Sequence, residues 1–153
     1  MKTLVLLVLF SLLTLNDSFK ARVIGVYSAD TIVVSTSNDK QLKIRLDGID
    51  CPEIDQEYGD SAKMAMVKLC FKKEVQIEKV GLDTYGRTLA YVYIADVCLN
   101  KELIRLGMAW HYKQYNADPE LAKLEDEAKA NKTGLWRQNT PQSPWDFRRN
   151  KKK

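Results

Sequence analysis

Of its 153 residues only one is histidine, His111, and none of the spacings among its three cysteines, Cys51, Cys70 and Cys98, is a CxxC. Zinc sites are built from thiolates and imidazoles at short spacings, so this set excludes one of the usual kind. One bridge plus a free thiol, or no bridge at all, are both open to an odd set of three. A long hydrophobic run is also lacking. A membrane anchor needs about 20 apolar residues, whereas only 13 positions lie between Lys2 and Asn16. There is no internal repeat, and a chain of this length suits one domain with a real core.

What stands at the N-terminus is a basic Lys2, an apolar run from Leu4 to Phe10, a second at Leu12 and Leu13, and then polar residues. That order predicts a signal peptide over residues 1–18, without an A-x-A cleavage site and without a cysteine to take a lipid. The mature chain is expected to begin between about Asp17 and Arg22, secreted or periplasmic, with no membrane contact after cleavage. The net charge of +4 is a property of the other end, because the last six residues, RRNKKK, carry five positive charges. Without those six and the first 18, 18 basic side chains face 19 acidic ones. The Pro-broken segment 138–153 therefore reads as a solvated basic tail with a weak attraction for polyanions.

Between these ends, residues 19–137 read as one unit. ARVIGVYS and TIVVST are β-branched runs separated by a turn at Ala29-Asp30. QLKIRLD alternates, with Leu42, Ile44 and Leu46 on one side and Lys43, Arg45 and Asp47 on the other. A helix over residues 60–73 carries a stripe of Ala62, Met66, Leu69 and Cys70, with Asp60 or Ser61 as cap. EVQIEKV and RTLAYVYI supply two more strands. A second helix fits NKELIRLG, capped by Asn100 and stopped by Gly107; a third follows Asp118, with Pro119 at its first position. Five short strands with a helix between the third and fourth, and three helices in all, predict an α+β OB barrel.

The charged residues gather at strand ends. Arg45 closes the third strand on its outer side, and Pro52 holds the loop of Asp50, Cys51 and Glu53 extended. Asp50, the Cys51 carbonyl and Asp30 are oxygen donors of the kind a hard cation takes, if the first and third strands lie side by side. Taken singly, Asp30 or Asp50 reads first as a solvated turn former; only in combination do they point to a metal. Arg87 begins a strand after the Tyr85-Gly86 turn, which places its guanidinium at a barrel rim. Two arginines near carboxylates can clamp a phosphodiester and take up the charge of its transition state.

ADTI, IRLDGIDCPE, DTYGRTLAY, and GMAWHYKQY with GLW beyond it, together and in that order, resemble the thermonuclease (staphylococcal nuclease) family over about Val23 to Trp136. The resemblance implies a calcium-dependent OB-fold enzyme that cuts single-stranded DNA and RNA with little sugar specificity and leaves 3′-phosphates. It further implies Asp30, Asp50 and the Cys51 carbonyl as calcium ligands, Arg45 and Arg87 on the phosphate, and Glu53 on the attacking water. By the same resemblance Tyr85 contacts substrate phosphate and Tyr112 and Tyr115 meet a base; the competing reading of the last two is packing on the barrel. The chain departs from the family's Asp-Gly-Asp-Thr turn with Ser28-Ala29-Asp30-Thr31, which removes a charge and a glycine and is expected to weaken calcium. If a disulfide forms, Cys70 with Cys98 is expected, since Cys51 lies in the metal loop. His111 and Asp47 receive no role, Trp110 and Trp136 are expected to pack, and the enzyme is expected to be a monomer. The runner-up is a noncatalytic OB module that binds nucleic acid; it has no need of Asp30, Arg45, Asp50, Glu53 and Arg87 together.

Overall fold

Alternating β-branched segments pair where their apolar faces can close on one another, and here they close completely. The computed structural model describes residues 17–152, so the signal peptide expected over 1–18 lies almost wholly outside the described residues. Five long strands form the barrel: β1 (Ser18–Ser28), β2 (Thr31–Ser35), β3 (Gln41–Leu46), β5 (Glu74–Leu82) and β6 (Thr88–Ile94). They run in the order β3-β2-β1-β5-β6, and a parallel β3–β6 pairing shuts the ring, giving the expected OB barrel. Two residues, Val97–Cys98, add a short β7 beside β6. A separate pair, β4 (Ile49–Asp50) with β8 (Trp110–His111), lies beyond the end of β3. Inside are Val23, Ile32, Val34, Ile44, Ile77 and Val92, all fully buried. Each such side chain stabilises the fold by roughly 1.5–3 kcal/mol relative to exposure.

Helix α1 (Gly59–Cys70) seals one opening with Ala62, Met66 and Cys70. It starts ahead of the expected Asp60 or Ser61 cap, at Tyr58, with no side-chain cap bond. Gly59 explains the start. A Cβ there would sit 1.9 Å from the Glu53 carbonyl oxygen, so only glycine lets the 53–58 loop fold against the helix. Helix α2 (Leu99–Arg105) also begins early, at Cys98, because Asn100 is spent elsewhere. The buried Asn100 amide accepts from Val92 N–H and donates to the Asp47 and Ala90 carbonyls. Gly107 ends α2 at φ +62°, as its position predicts. Helix α3 (Pro119–Ala130) is capped by Asp118, which accepts from Glu120 N–H at 2.8 Å.

The segment expected as a solvated tail contains a fourth helix, α4 (Pro144–Lys151), after the 3-10 turn Gly134–Arg137. Ser143 caps it, exchanging bonds with Asp146. The three thiols are free and buried, so the Cys70–Cys98 bridge does not form: Cys70 Sγ bonds its own helix at Met66 O, and Cys98 sits at the β7–α2 junction. No helix of the described residues is long and apolar enough to cross a membrane.

A charged side chain on α3 is buried as well. Glu125, on the inner face of α3, accepts from His111 N–H at 3.0 Å and from Lys129 at 2.9 Å, with Lys113 at 2.8 Å. Burial opposes its charge, and these three donors outweigh the burial, holding the carboxyl below the usual range. Its contribution to stability is therefore full above the ordinary carboxylate range and is lost as pH falls through its lowered folded value. Glu125→Gln is expected to cost about 1–3 kcal/mol in urea unfolding at pH 7 and to flatten the acid dependence. An unchanged acid limb in the variant would show that another carboxylate carries it.

Candidate active site

Arg45 leaves β3 on the side away from the core, as the alternation requires, but it is not exposed. Its side chain, 13% accessible, is enclosed by carboxylates and carbonyls. Nη1 lies 3.3 Å from Asp30 Oδ2 and donates to the Ile49 carbonyl at 2.9 Å; Nη2 donates to Asp50 Oδ1 at 3.2 Å. Burial opposes the cation, and Asp30 and Asp50 outweigh it, so the guanidinium is held even more firmly charged than usual. The two aspartates thus converge on one cation.

Asp30 arrives by a route other than the expected pairing of the first and third strands. The first and third strands are not neighbours, since β2 lies between them. Thr31 at the start of β2 pairs with Arg45 at the end of β3, and Leu46 N–H donates to Asp30 O at 2.8 Å, which brings the hairpin turn over the site. Asp30 Oδ1 accepts from Ser28 Oγ and Thr31 Oγ1, and Oδ2 accepts from Cys51 N–H at 3.0 Å. Ala29 is buried and is not among the residues with positive φ, so the turn does not call for the glycine that the family places there. Cys51 points its thiol inward, and burial raises it well above the ordinary thiol range.

Asp50 is almost fully buried, in β4, and burial pushes its carboxyl up against the pull of nearby guanidiniums. One of those guanidiniums is Arg148 of α4. Its Nη2 meets Asp50 Oδ2 at 2.8 Å, and its Nη1 meets Glu53 Oε1 at 2.7 Å. Glu53 stands beside Asp50 on the loop pinned by Gly59, with Gln56 Oε1 accepting from its N–H. Arg148 lies outside the expected set of site residues, although Ser143-Pro144-Trp145-Asp146 carries a helix-start pattern: a capping serine, proline at the first position and an acid three residues on.

Arg87 stays apart from this cluster. It bonds Asp83 across the β5–β6 turn, Nε to Oδ2 at 2.5 Å, with a third of its side chain open. In the parallel pairing Leu89 lies opposite Arg45, so Arg87, two residues before Leu89, is set toward the same side of the sheet. Tyr85, 85% exposed, lies beside Arg87, its ring centroid 5.7 Å from the guanidinium carbon. Tyr112 and Tyr115 pack edge to face at 4.7 Å; Tyr115 is exposed, while Tyr112 lies parallel to Trp145 at 5.1 Å. Burial, with the nearby Asp50 charge, raises the Tyr112 phenol. Trp110 and Trp136 do pack, 4.4 Å apart, and His111 is a buried scaffold residue bonded to Asn116. Asp47 likewise holds Asn116 at 2.8 Å.

Among the described residues no three acidic, histidine or cysteine side chains form a ready metal cage. The donor chemistry nevertheless is of the kind a hard cation takes: the carboxylates of Asp30 and Asp50 converge, with backbone carbonyls close by. Arg148 shares Asp50 with any such ion.

Residues 43–138 match the family profile described as Staphylococcal nuclease homologue. That span includes every expected site residue except Asp30, and excludes α4. The chain is 38% identical over 149 residues to a protein of Haemophilus influenzae named uncharacterized endonuclease, covering 96% of this chain and 84% of the other. It is 40% identical over 146 residues to a similarly named Escherichia coli protein, covering 95% of each. A rice (Oryza sativa subsp. japonica) protein named probable staphylococcal-like nuclease is 39% identical over 124 residues, 78% of this chain and 33% of that longer one. With its closed five-stranded barrel and this profile over most of its length, the chain belongs to the staphylococcal nuclease family.

Proposed function

We propose that the protein is an exported, calcium-dependent nuclease that hydrolyses phosphodiester bonds of single-stranded DNA and RNA and leaves 3′-phosphates. The observation that carries this reading is the convergence of Asp30 and Asp50 on Arg45, with Glu53 alongside and Arg87 set toward the same side of the barrel. Export rests on Lys2 and the apolar run that follows it.

Phosphodiester hydrolysis requires an activated water, cationic groups that neutralise the charge on the nonbridging oxygens, and a stabilised leaving group. Glu53, released from Arg148, takes a proton from the water whose oxygen attacks phosphorus. Arg45, anchored by two carboxylates, presents its remaining N–H edge to a nonbridging oxygen, while Arg87 approaches from the turn and steadies the departing O5′. The P–O5′ bond breaks, the 5′ oxygen leaves as a hydroxyl with a proton from solvent, and the phosphate stays on the 3′ side. Calcium, when bound by Asp30, Asp50 and the Cys51 carbonyl, supplies Lewis-acid charge to the phosphate oxygens. Tyr85 and Tyr115 are both exposed; Tyr85 offers its hydroxyl to a phosphate and Tyr115 a face to a base, a stacking contact with little sequence preference.

Cleavage of single-stranded DNA and RNA oligonucleotides is expected with calcium and to fall about 100-fold or more with a calcium chelator. End analysis should find 3′-phosphate and 5′-hydroxyl. Chelator-insensitive cleavage, or none in calcium by folded protein, would refute the proposal.

A further inference from the structure

Helix α4 covers groups that a calcium nuclease needs free, and it does so with chemistry that imitates the ligands. Arg148 sets a cation against Asp50 and Glu53, at 2.8 and 2.7 Å. Trp145 lays an aromatic face on Tyr112, with the rings 1° from parallel. The same helix therefore fills the place of a cation and the place of a base. Gln56 Nε2 bonds Gln142 O at 2.7 Å, and Lys151 pairs with Asp55, which fastens both ends of the segment to the Glu53 loop.

From these contacts we propose that α4 is a built-in occupant of the active site, displaced when a divalent cation and a single strand bind. This inference rests on the calcium-dependent reading above. Charge argues for the exchange. Asp30, Asp50 and Glu53 face Arg45 and Arg148 with a net charge of −1; without Arg148 the net is −2, which a divalent ion neutralises. Arg148 and the ion compete for Asp50, so each weakens the other by the same factor. The helix is built to leave. It has eight residues, too few to persist alone, and Pro144 is its only buried residue. Its remaining hold is by ion pairs and aromatic faces at partly open positions, the kind of element that opens locally without global unfolding. Once free, Arg148, Arg149, Lys151 and Lys152 can turn to substrate phosphates, so release adds affinity for a polyanion.

The full chain provides the test. Arg148→Gln is expected to bind calcium about 10-fold more tightly by calorimetry, the factor for a docked helix populated about 90% of the time. In the unsubstituted protein, calcium should speed hydrogen exchange at the amides of 145–151, and Trp145→Phe should remove a calcium-linked change in tryptophan emission. Equal calcium affinity in Arg148→Gln, or α4 amides better protected with calcium, would overturn the inference while leaving the nuclease intact. If neither protein binds calcium, the calcium-dependent reading fails, and this inference with it.

Discussion

Arg45→Ala is expected to lower the cleavage rate by about 100-fold to 1000-fold, the usual consequence of losing one preorganised donor to a transition state. Stability should fall with it. Arg45 holds Asp30, Asp50 and the carbonyls of Leu46 and Ile49, so its removal leaves two buried carboxylates short of a partner. Breaking a buried pair from one side typically costs about 3–5 kcal/mol. Saturating calcium should return part of that loss, because an ion that binds only the folded state stabilises it. Arg45→Lys separates charge from geometry: one ammonium cannot repeat the forked contacts, so the rate should stay low while stability recovers in part. Urea unfolding and single-turnover cleavage read both quantities. A rate near that of the parent, or a loss below about 1 kcal/mol, would remove Arg45 from the role assigned to it.

Arg87→Gln should reproduce the loss of rate without the loss of stability. The expected fall is again about 100-fold to 1000-fold. Arg87 pairs with Asp83 within a single turn, and a third of its side chain is open to solvent, so the pair is worth at most about 1 kcal/mol. Asp83 also accepts the N–H groups of Tyr85 and Arg87, which hold the turn without the guanidinium. The contrast between the two arginines is the sharper test. One is expected to be both scaffold and chemistry, the other chemistry alone. An Arg87 variant that unfolds as readily as Arg45→Ala would contradict that division.

Much of this arrangement was legible in the order of residues. Alternation in QLKIRLD sets Arg45 opposite to Ile44 and Leu46, and the buried Ile44 and Leu46 agree. Asp118 and Pro119 begin α3, and Gly107 ends α2, because caps and left-handed stops act within one turn. Local patterns fall short where a side chain has a distant use. Asn100 looks like a cap, yet its amide bonds Asp47 and Ala90; Asp50 looks like a ligand for an ion and Glu53 like a group for the attacking water, and Arg148 is paired with both.

The division has a physical cause. Strand period, helix starts and the proline-held loop depend on neighbours a few residues apart, so the sequence alone determined the barrel's elements, its helix between the third and fourth strands, and the gathering of charge at strand ends. Which charges meet was decided only by closure of the barrel, which put β2 between β1 and β3 and still carried Asp30 to Arg45 through the Thr31 pairing. Closure also decided the place of the C-terminal segment. Arg148 is 98 positions from Asp50, and no local pattern records that a helix from the far end of the chain lies over the site.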